Sequence, residues 1–212
     1  MDSEQNNSKR NFPIVVGITG ASGAVYAHRL LEVLAQAERP VQLTISRSGK
    51  TLLHQELGLD VDLDRFSAAD LELGVGDRNL RHIQYYHFEN YFSAPASGSA
   101  RTAGMVVCPC SGGTLSAVAH GSSTTLVQRA AEVHLKEKRT LVLVLRETPL
   151  SLGYIDNMRR VCEAGGVVLP AAPGWYHGVT KVSDLVDFVV ARVLDQLRVE
   201  HSLMDRWGDG FS

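Results

Sequence analysis

The feature of this sequence that most constrains its fold is a series of five short apolar runs. Each has the length of a strand and lacks the polar–apolar alternation of a sheet with one face in water. Strands of this kind are buried on both faces, which is typical of a parallel sheet covered by helices. The runs are residues 14–18, 41–45, 105–108, 141–145 and 167–169.

Helical patterns lie between these runs, and strand–helix alternation predicts a parallel sheet with right-handed crossover connections. An alternating run at residues 83–88 is a candidate extra strand. We therefore predict an α/β fold, a Rossmann-like doubly wound parallel sheet forming a single domain over residues 13–212. A flexible N-terminal tail at residues 1–12 and a C-terminal tail after about Leu197 complete the expected organisation. The apolar stripes at helical spacing include Ala27, Leu30, Leu31 and Leu34; Val127, Ala130, Ala131 and His134; and Val186, Val189, Val190 and Val193.

Charge and composition exclude several classes of function. The 21 Lys and Arg residues nearly balance 23 Asp and Glu, whereas a broad nucleic-acid-binding face needs a basic excess. No apolar run reaches the length that spans a membrane, and the polar first residues do not resemble a signal peptide. Three cysteines without a secretion signal fit free thiols in a reducing compartment. We expect a cytoplasmic protein that binds neither membrane nor nucleic acid.

Ligands of doubly wound sheets bind where the strands end, so the residues after each strand are candidates for chemistry. Small residues fill 19–24, where a tight strand–helix turn and an anion site at a helix N-terminus remain equally open interpretations. Ser46 and Arg47 follow the second strand and fit either a phosphate site or a helix cap beside a solvated Arg. Arg146 and Glu147 directly follow a buried strand, and are therefore less easily explained as solvated charges.

Other polar groups favour structural roles. Cys108 and Cys110 lack zinc-ligand spacing and are best interpreted as buried structural thiols. The acidic loop at 60–64 is more typical of a loop than of a metal site, so we predict no metal. His134 lies on an apolar stripe and is expected to pack in the core. Residues 137–139 are expected to form a solvated face.

Taken together, the motifs resemble the UbiX-like flavin prenyltransferases over nearly the whole chain. The matching pieces are TGASGA at 19–24, IS at 45–46, PASGS at 95–99, CPCSGGTLSAVAHG at 108–121, RAAEVHLKEKR at 129–139, LVLVLRETPL at 141–150, LPAAPGWYH at 169–177, DLVDFVVARVLDQL at 184–197 and RWG at 206–208.

The resemblance implies an FMN-binding enzyme that uses reduced FMN as co-substrate. It implies metal-independent transfer of dimethylallyl from dimethylallyl phosphate to flavin N5, followed by ring closure onto C6. The product, prenylated FMN, would serve a UbiD-type decarboxylase in ubiquinone biosynthesis or aromatic-acid decarboxylation. The resemblance further implies a homo-dodecamer with active sites at subunit contacts. It leaves open the choice between monophosphate and diphosphate donors and the identity of the decarboxylase.

The resemblance also assigns roles to individual residues. Glu147 would lie beside the leaving phosphate as a proton donor, and Glu56 would help to remove the C6 proton. Ser22 would bond near N5, and Trp207 would cover the prenyl group. The expected donor-binding residues are Ser97, Ser99, Arg129, Lys136, Arg146 and Tyr176. The expected FMN-binding residues are Thr19, Gly20, Ala21, Ser22, Ser46, Arg47, Ser111, Thr114 and Arg129.

The chain departs from the family pattern in two places. It has Thr124-Thr125 where the family commonly has Asp or Asn just before the Leu that is Leu126 here, and Tyr154 where the family often has His. Both positions concern local flavin or interface contacts.

Two rival functions also fit the fold. A flavin-dependent cysteine decarboxylase would carry a PASANT-like loop, where this chain has PCSGGT. A non-catalytic FMN carrier would not need two acids and a second phosphate site, so the joint presence of Glu56, Lys136 and Glu147 favours the enzyme.

Overall fold

Six parallel strands form one sheet in the computed structural model, which describes residues 12–204. The sheet order is β3-β2-β1-β4-β5-β6, and every neighbouring pair is parallel. The strands are Ile14–Ile18 (β1), Val41–Ile45 (β2), Ile83–Tyr85 (β3), Gly104–Cys110 (β4), Leu141–Leu145 (β5) and Val167–Pro170 (β6).

Helices cover both faces of this sheet because successive strand residues point to opposite sides. Ile14 and Val16 pack in one layer, which includes the first and last helices. Val15 and Val107 pack in the other layer, beneath the three helices that flank β5 in sequence. The helices are Ala24–Gln36 (α1), Arg47–Leu57 (α2), Asp77–Leu80 (α3), Gly112–His120 (α4), Leu126–Lys136 (α5), Leu152–Glu163 (α6) and Val182–Gln196 (α7), with 3-10 turns at Ala68–Leu71 and Ala94–Ala96.

The doubly wound parallel sheet is confirmed, and the candidate extra strand at 83–88 is the short edge strand β3. Two strands are longer than predicted: β4 begins at Gly104 and continues through Pro109 to Cys110, and β6 ends at Pro170. Burial raises the pKa of the Cys108 and Cys110 thiols, as expected of structural cysteines. The third cysteine, Cys162, is exposed.

The strand order places a binding crevice between β1 and β4. From β1 the chain winds outward through β2 to β3, and from β4 it winds the other way through β5 to β6. At such a reversal the connections leave in opposite directions and open a crevice at the carboxyl ends of the strands. The sequences after β1, β2, β4 and β5 therefore meet there, and we call this end of the sheet the carboxyl edge.

Candidate active site

Thr19 ties the ends of β1 and β4 together beneath the crevice. Its side chain is almost fully buried; its hydroxyl donates to the Pro109 carbonyl at 2.7 Å and accepts from the Ser111 amide at 2.8 Å. Both partners belong to the turn after β4. The hydroxyl is therefore fully engaged by the protein, and Thr19 shapes the expected cofactor loop from below.

The turns after β1 and β2 touch each other, which requires glycine on both sides. A Cβ atom on Gly20 would lie 2.4 Å from Cβ of Ser48, and one on Gly49 would lie 2.6 Å from the Ile18 carbonyl oxygen. Ser46 caps α2 by accepting from the Gly49 amide at 3.0 Å. The small residues of 19–24, including the nearly buried Ala21, thus allow two helix N-termini to approach each other.

Glu56 caps the N-terminus of α1 from a different helix. Gly23, at the N-cap position, has φ 123° and offers no side chain, and the Glu56 carboxylate accepts from the amides of Gly23 at 2.9 Å and Ala24 at 2.8 Å. Partial burial raises the pKa of Glu56, but hydrogen bonds from Ser22, Gly23 and Ala24, together with Arg146, outweigh it and hold the pKa below its ordinary value. Glu56 is therefore an ionised group directly beside Ser22.

Arg146 and Glu147 extend from the end of β5 into the same region. Arg146 Nε donates to the carbonyl oxygen of Ser22 at 3.3 Å, which joins the turns after β5 and β1 across β4. Glu147 is exposed, and its carboxylate accepts from the Thr148 amide at 3.0 Å. A cation and an acid therefore stand side by side at the carboxyl edge.

The turn after β4 adds a third helix N-terminus. Ser111 caps α4, accepting from the Thr114 amide at 3.3 Å and donating to the Thr114 hydroxyl at 3.1 Å. The N-termini of α1, α2 and α4 thus lie at one edge of the sheet. The Glu56 carboxylate already caps α1, and the amides and helix dipoles of α2 and α4 favour an anion. This donor set fits the phosphate of a mononucleotide, and Arg146 adds a full positive charge.

A second group of predicted residues lies at the opposite end of the sheet. Lys136 ends α5 shortly before β5 begins, and Ser97 and Ser99 lie in the loop that leads to β4. The two serine hydroxyls are 2.9 Å apart, and Lys136 Nζ is 3.5 Å from the Glu137 carboxylate. We call this end of the sheet the amino edge, and Ser97, Ser99 and Lys136 the amino-edge cluster. Four residue steps of β5 separate the two edges by roughly 13 Å.

Arg129 lies on the same face of α5 as Lys136, two turns earlier. Its guanidinium is 3.3 Å from the Glu132 carboxylate, which also accepts from the Ser123 hydroxyl at 2.8 Å. The predicted donor-binding residues therefore lie apart within one chain: Arg146 at the carboxyl edge, Arg129 on α5, and the amino-edge cluster at the opposite end of the sheet.

Arg139 is a residue whose role sequence reasoning missed. It was expected on a solvated face, but it is partly buried and donates to the carbonyl oxygens of Ala100, at 2.6 Å, and Gly98. The expectation failed because a charge just beyond a helix usually faces water, and no sequence pattern marks a distant carbonyl as its partner.

Three further predicted residues are Arg47, Tyr176 and Trp207. The Arg47 guanidinium is largely exposed, as in the solvated alternative considered from the sequence, and it also pairs with the Glu89 carboxylate at 2.7 Å. Tyr176 is largely exposed, with its ring edge-on to Phe188 at 5.8 Å between centroids. Trp207 lies outside the described residues.

The two departures have local structural roles. Thr125 is the N-cap of α5, and Thr124 donates to the Gln128 side chain through its amide at 2.7 Å. Tyr154 packs its ring against Gly112, and burial raises its pKa to about 12. Both departures therefore support segments that carry predicted site residues.

Residues 12–204 contain neither a metal-binding cluster nor a membrane-spanning helix. No group of three or more His, Cys, Asp or Glu side chains in this range is arranged to hold a metal. None of the helices in the same range combines the length and apolar character needed to cross a bilayer.

The fold and the helix N-termini at the carboxyl edge are typical of a Rossmann-like flavoprotein, and the model of the Flavoprotein family matches residues 2–194. Among curated proteins, the chain is 43% identical over 194 residues to flavin prenyltransferase UbiX of Halalkalibacterium halodurans and 42% identical over 196 residues to that of Pseudomonas aeruginosa. These matches cover 92% of this chain and 92% and 94% of the relatives. The chain belongs to the UbiX family of flavin prenyltransferases.

A solved structure of AnUbiX (PadA1) in complex with FMN and dimethylallyl pyrophosphate superposes with a TM-score of 0.82. It is 33% identical and covers 96% of this chain and all of its own. By contrast, the FMN-dependent cysteine decarboxylase TvaF is 14% identical with a TM-score of 0.56, a likeness that shows the fold alone. The relatives therefore favour the prenyltransferase over the cysteine decarboxylase interpretation.

Proposed function

We propose that this protein transfers a dimethylallyl group from dimethylallyl phosphate to reduced FMN, at N5 and then C6, and releases phosphate. The observation that carries the proposal is the Arg146–Glu147 pair beside three helix N-termini, in a chain that shares over 40% identity with flavin prenyltransferases along its length. FMN supplies the nucleophilic ring that the prenyl group alkylates.

The carboxyl edge would hold FMN. We assign its phosphate to the helix N-termini capped by Ser46 and Ser111, because free amides there offer donors to an anion. The turn at Gly20–Ser22 would lie against the flavin ring. Ser22 is suited to a hydrogen bond near N5, since its carbonyl is already held by Arg146.

Departure of the phosphate needs positive charge and a proton. As the allylic C–O bond breaks, the bond to N5 forms and the N5 proton is released to solvent. Arg146, Lys136 and Tyr176 would stabilise the negative charge on phosphate. Glu147 would donate a proton to the departing group. In ring closure, a C–C bond forms at C6, the C6 proton leaves, and a proton is added to the prenyl chain. Glu56, whose lowered pKa keeps it ionised beside Ser22, would accept the leaving proton.

The donor site would be completed between copies of the chain. Lys136 lies at the amino edge and Arg146 at the carboxyl edge, and a related UbiX-like decarboxylase from Escherichia coli O157:H7 (38% identical, TM-score 0.78, covering 92% of this chain and 98% of its own) is described as dodecameric and FMN-dependent. Exposed apolar residues such as Leu152, Ile155 and Trp175 fit subunit contacts. We extend the proposal to a homo-dodecamer, to a UbiD-type decarboxylase as product acceptor, and to a cytoplasmic location that suits three free thiols.

Mass spectrometry of the flavin tests this proposal. Purified protein is incubated without oxygen with FMN, a chemical reductant and dimethylallyl phosphate, and the flavin is then released. We expect a flavin heavier by one five-carbon prenyl unit. Unmodified FMN, with flavin binding confirmed and the diphosphate donor also tried, would contradict the proposal in favour of a carrier or a decarboxylase.

A further inference from the structure

The loop that carries Ser97 and Ser99 is attached to α5 and to the residues just after it by two side chains that the proposed chemistry does not use. Arg139 donates to the carbonyl oxygens of Gly98 and Ala100. His134, one turn earlier on the chain, contacts the Thr102 hydroxyl through Nε2 at 2.8 Å. The segment 98–102 is therefore held at three points along its length.

His134 holds the segment as a neutral imidazole. Its Nδ1 lies 2.7 Å from the Ala130 carbonyl, which can only accept, so Nδ1 carries the proton and Nε2 accepts from the Thr102 hydroxyl. The ring is fully buried, and burial lowers its pKa to about 4. At neutral pH His134 thus anchors the segment without contributing charge.

The Arg139 attachment controls the part of the loop nearest to Lys136. A Cβ atom on Gly98 would lie 2.5 Å from Glu137 Oε1 and 3.5 Å from Lys136 Nζ, so the loop backbone packs directly on these side chains. The backbone of Arg139 is itself held by the His134 carbonyl at 2.8 Å. Its planar guanidinium can bond two carbonyls at fixed angles, a geometry that lysine cannot reproduce.

We propose that Arg139 is a positioning residue for the donor phosphate: it holds segment 98–100 on the end of α5, so that Ser97, Ser99 and Lys136 form one preorganised anion site. This inference rests on the proposed function, and it adds a residue that does not itself touch the substrate. Loss of the Arg139 hydrogen bonds would let the loop move away from Lys136, and the affinity for phosphate would fall as a result.

Two substitutions at one position separate geometry from charge. Arg139→Gln removes the charge and the two-carbonyl fork, whereas Arg139→Lys keeps the charge and removes only the fork. We expect both to raise the KM for dimethylallyl phosphate and the dissociation constant of inorganic phosphate about tenfold. The dissociation constant of FMN should not change, because the carboxyl edge is untouched. Lys138→Ala, which removes a neighbouring exposed charge, is the matched control and should behave as wild type.

The outcomes are distinguishable. Full phosphate affinity in Arg139→Lys would overturn the proposal, since charge alone would then suffice, and so would a tenfold loss in Lys138→Ala. If Arg139→Gln does not fold, shown by loss of FMN binding, Arg139→Lys decides. If wild type makes no prenylated flavin, the proposed function fails, while titration with inorganic phosphate still decides whether Arg139 organises an anion site.

Discussion

The carboxyl edge and the amino-edge cluster are built in different ways. At the carboxyl edge, backbone amides, helix N-termini and the buried Thr19 hydroxyl form the surface, and each is fixed by the fold. At the amino edge, the functional atoms end long or exposed side chains, such as Lys136 with 60% of its side chain exposed. The difference teaches that the proposed flavin site would rest mainly on groups fixed by the fold, whereas the proposed donor site would rely on side chains that need supporting contacts.

The most severe test of this comparison removes the charge of the amino-edge cluster. Lys136→Ala should lower prenyl transfer roughly 10²- to 10³-fold, because the leaving phosphate loses a cation that stabilises it. FMN affinity should be unchanged, since the flavin site belongs to the other edge. Rates are measured by mass spectrometry of the flavin and affinity by flavin fluorescence. A parallel loss of FMN binding would contradict the separation of the two regions.

A smaller loss is expected from the acid of the carboxyl edge. Glu147→Gln keeps the shape and the contact with the Thr148 amide but removes the proton that assists phosphate departure. We expect a fall in kcat of about 10²-fold, at the low end of the range for a general acid, with unchanged FMN binding. Glu163→Gln, on an exposed helix surface, is the control. Unaltered turnover would remove Glu147 from the mechanism.

The structural basis of the carboxyl edge is tested by Thr19→Val. The substitution keeps the volume but leaves the Pro109 carbonyl and the Ser111 amide without their buried partner. We expect the free energy of unfolding in urea to fall by about 1–3 kcal/mol, with weaker FMN binding. Thr51→Val, which removes an exposed hydroxyl that bonds to the Arg47 carbonyl, should change either quantity little.

The smallest effect concerns the pH dependence of the Glu56 cap. Because the folded pKa of Glu56 lies below its unfolded value, its stabilisation is present above the unfolded pKa and is lost as pH falls through the folded pKa. Glu56→Gln should therefore be less stable than wild type at pH 7, and the difference should shrink in acid. Urea unfolding at several pH values measures it. A difference independent of pH would show that the carboxylate charge is not what caps α1.

Much of the fold could be predicted from the sequence because buried parallel strands leave a composition signal that is local in the chain. The bounds of β1, β2 and β5 agree with the apolar runs. The end of β4 could not be predicted, because Pro109 is unfavourable in a strand, and here its carbonyl is used by Thr19 while neighbouring strands continue the sheet. By contrast, Ser46 and Ser111 could be recognised from the sequence as residues that follow strands, because helix caps depend on residues that are near each other in the chain.

The sequence by itself determined the fold class, the family and the residue types available for flavin and phosphate chemistry. Only the tertiary structure decided that Glu56 caps α1, that Arg47 pairs with Glu89, and that Arg139 holds the loop at Gly98. The physical reason is that strands, helices and caps depend on neighbours along the chain. By contrast, these three contacts join groups 32 to 42 residues apart, and they exist only once the sheet has brought their elements together.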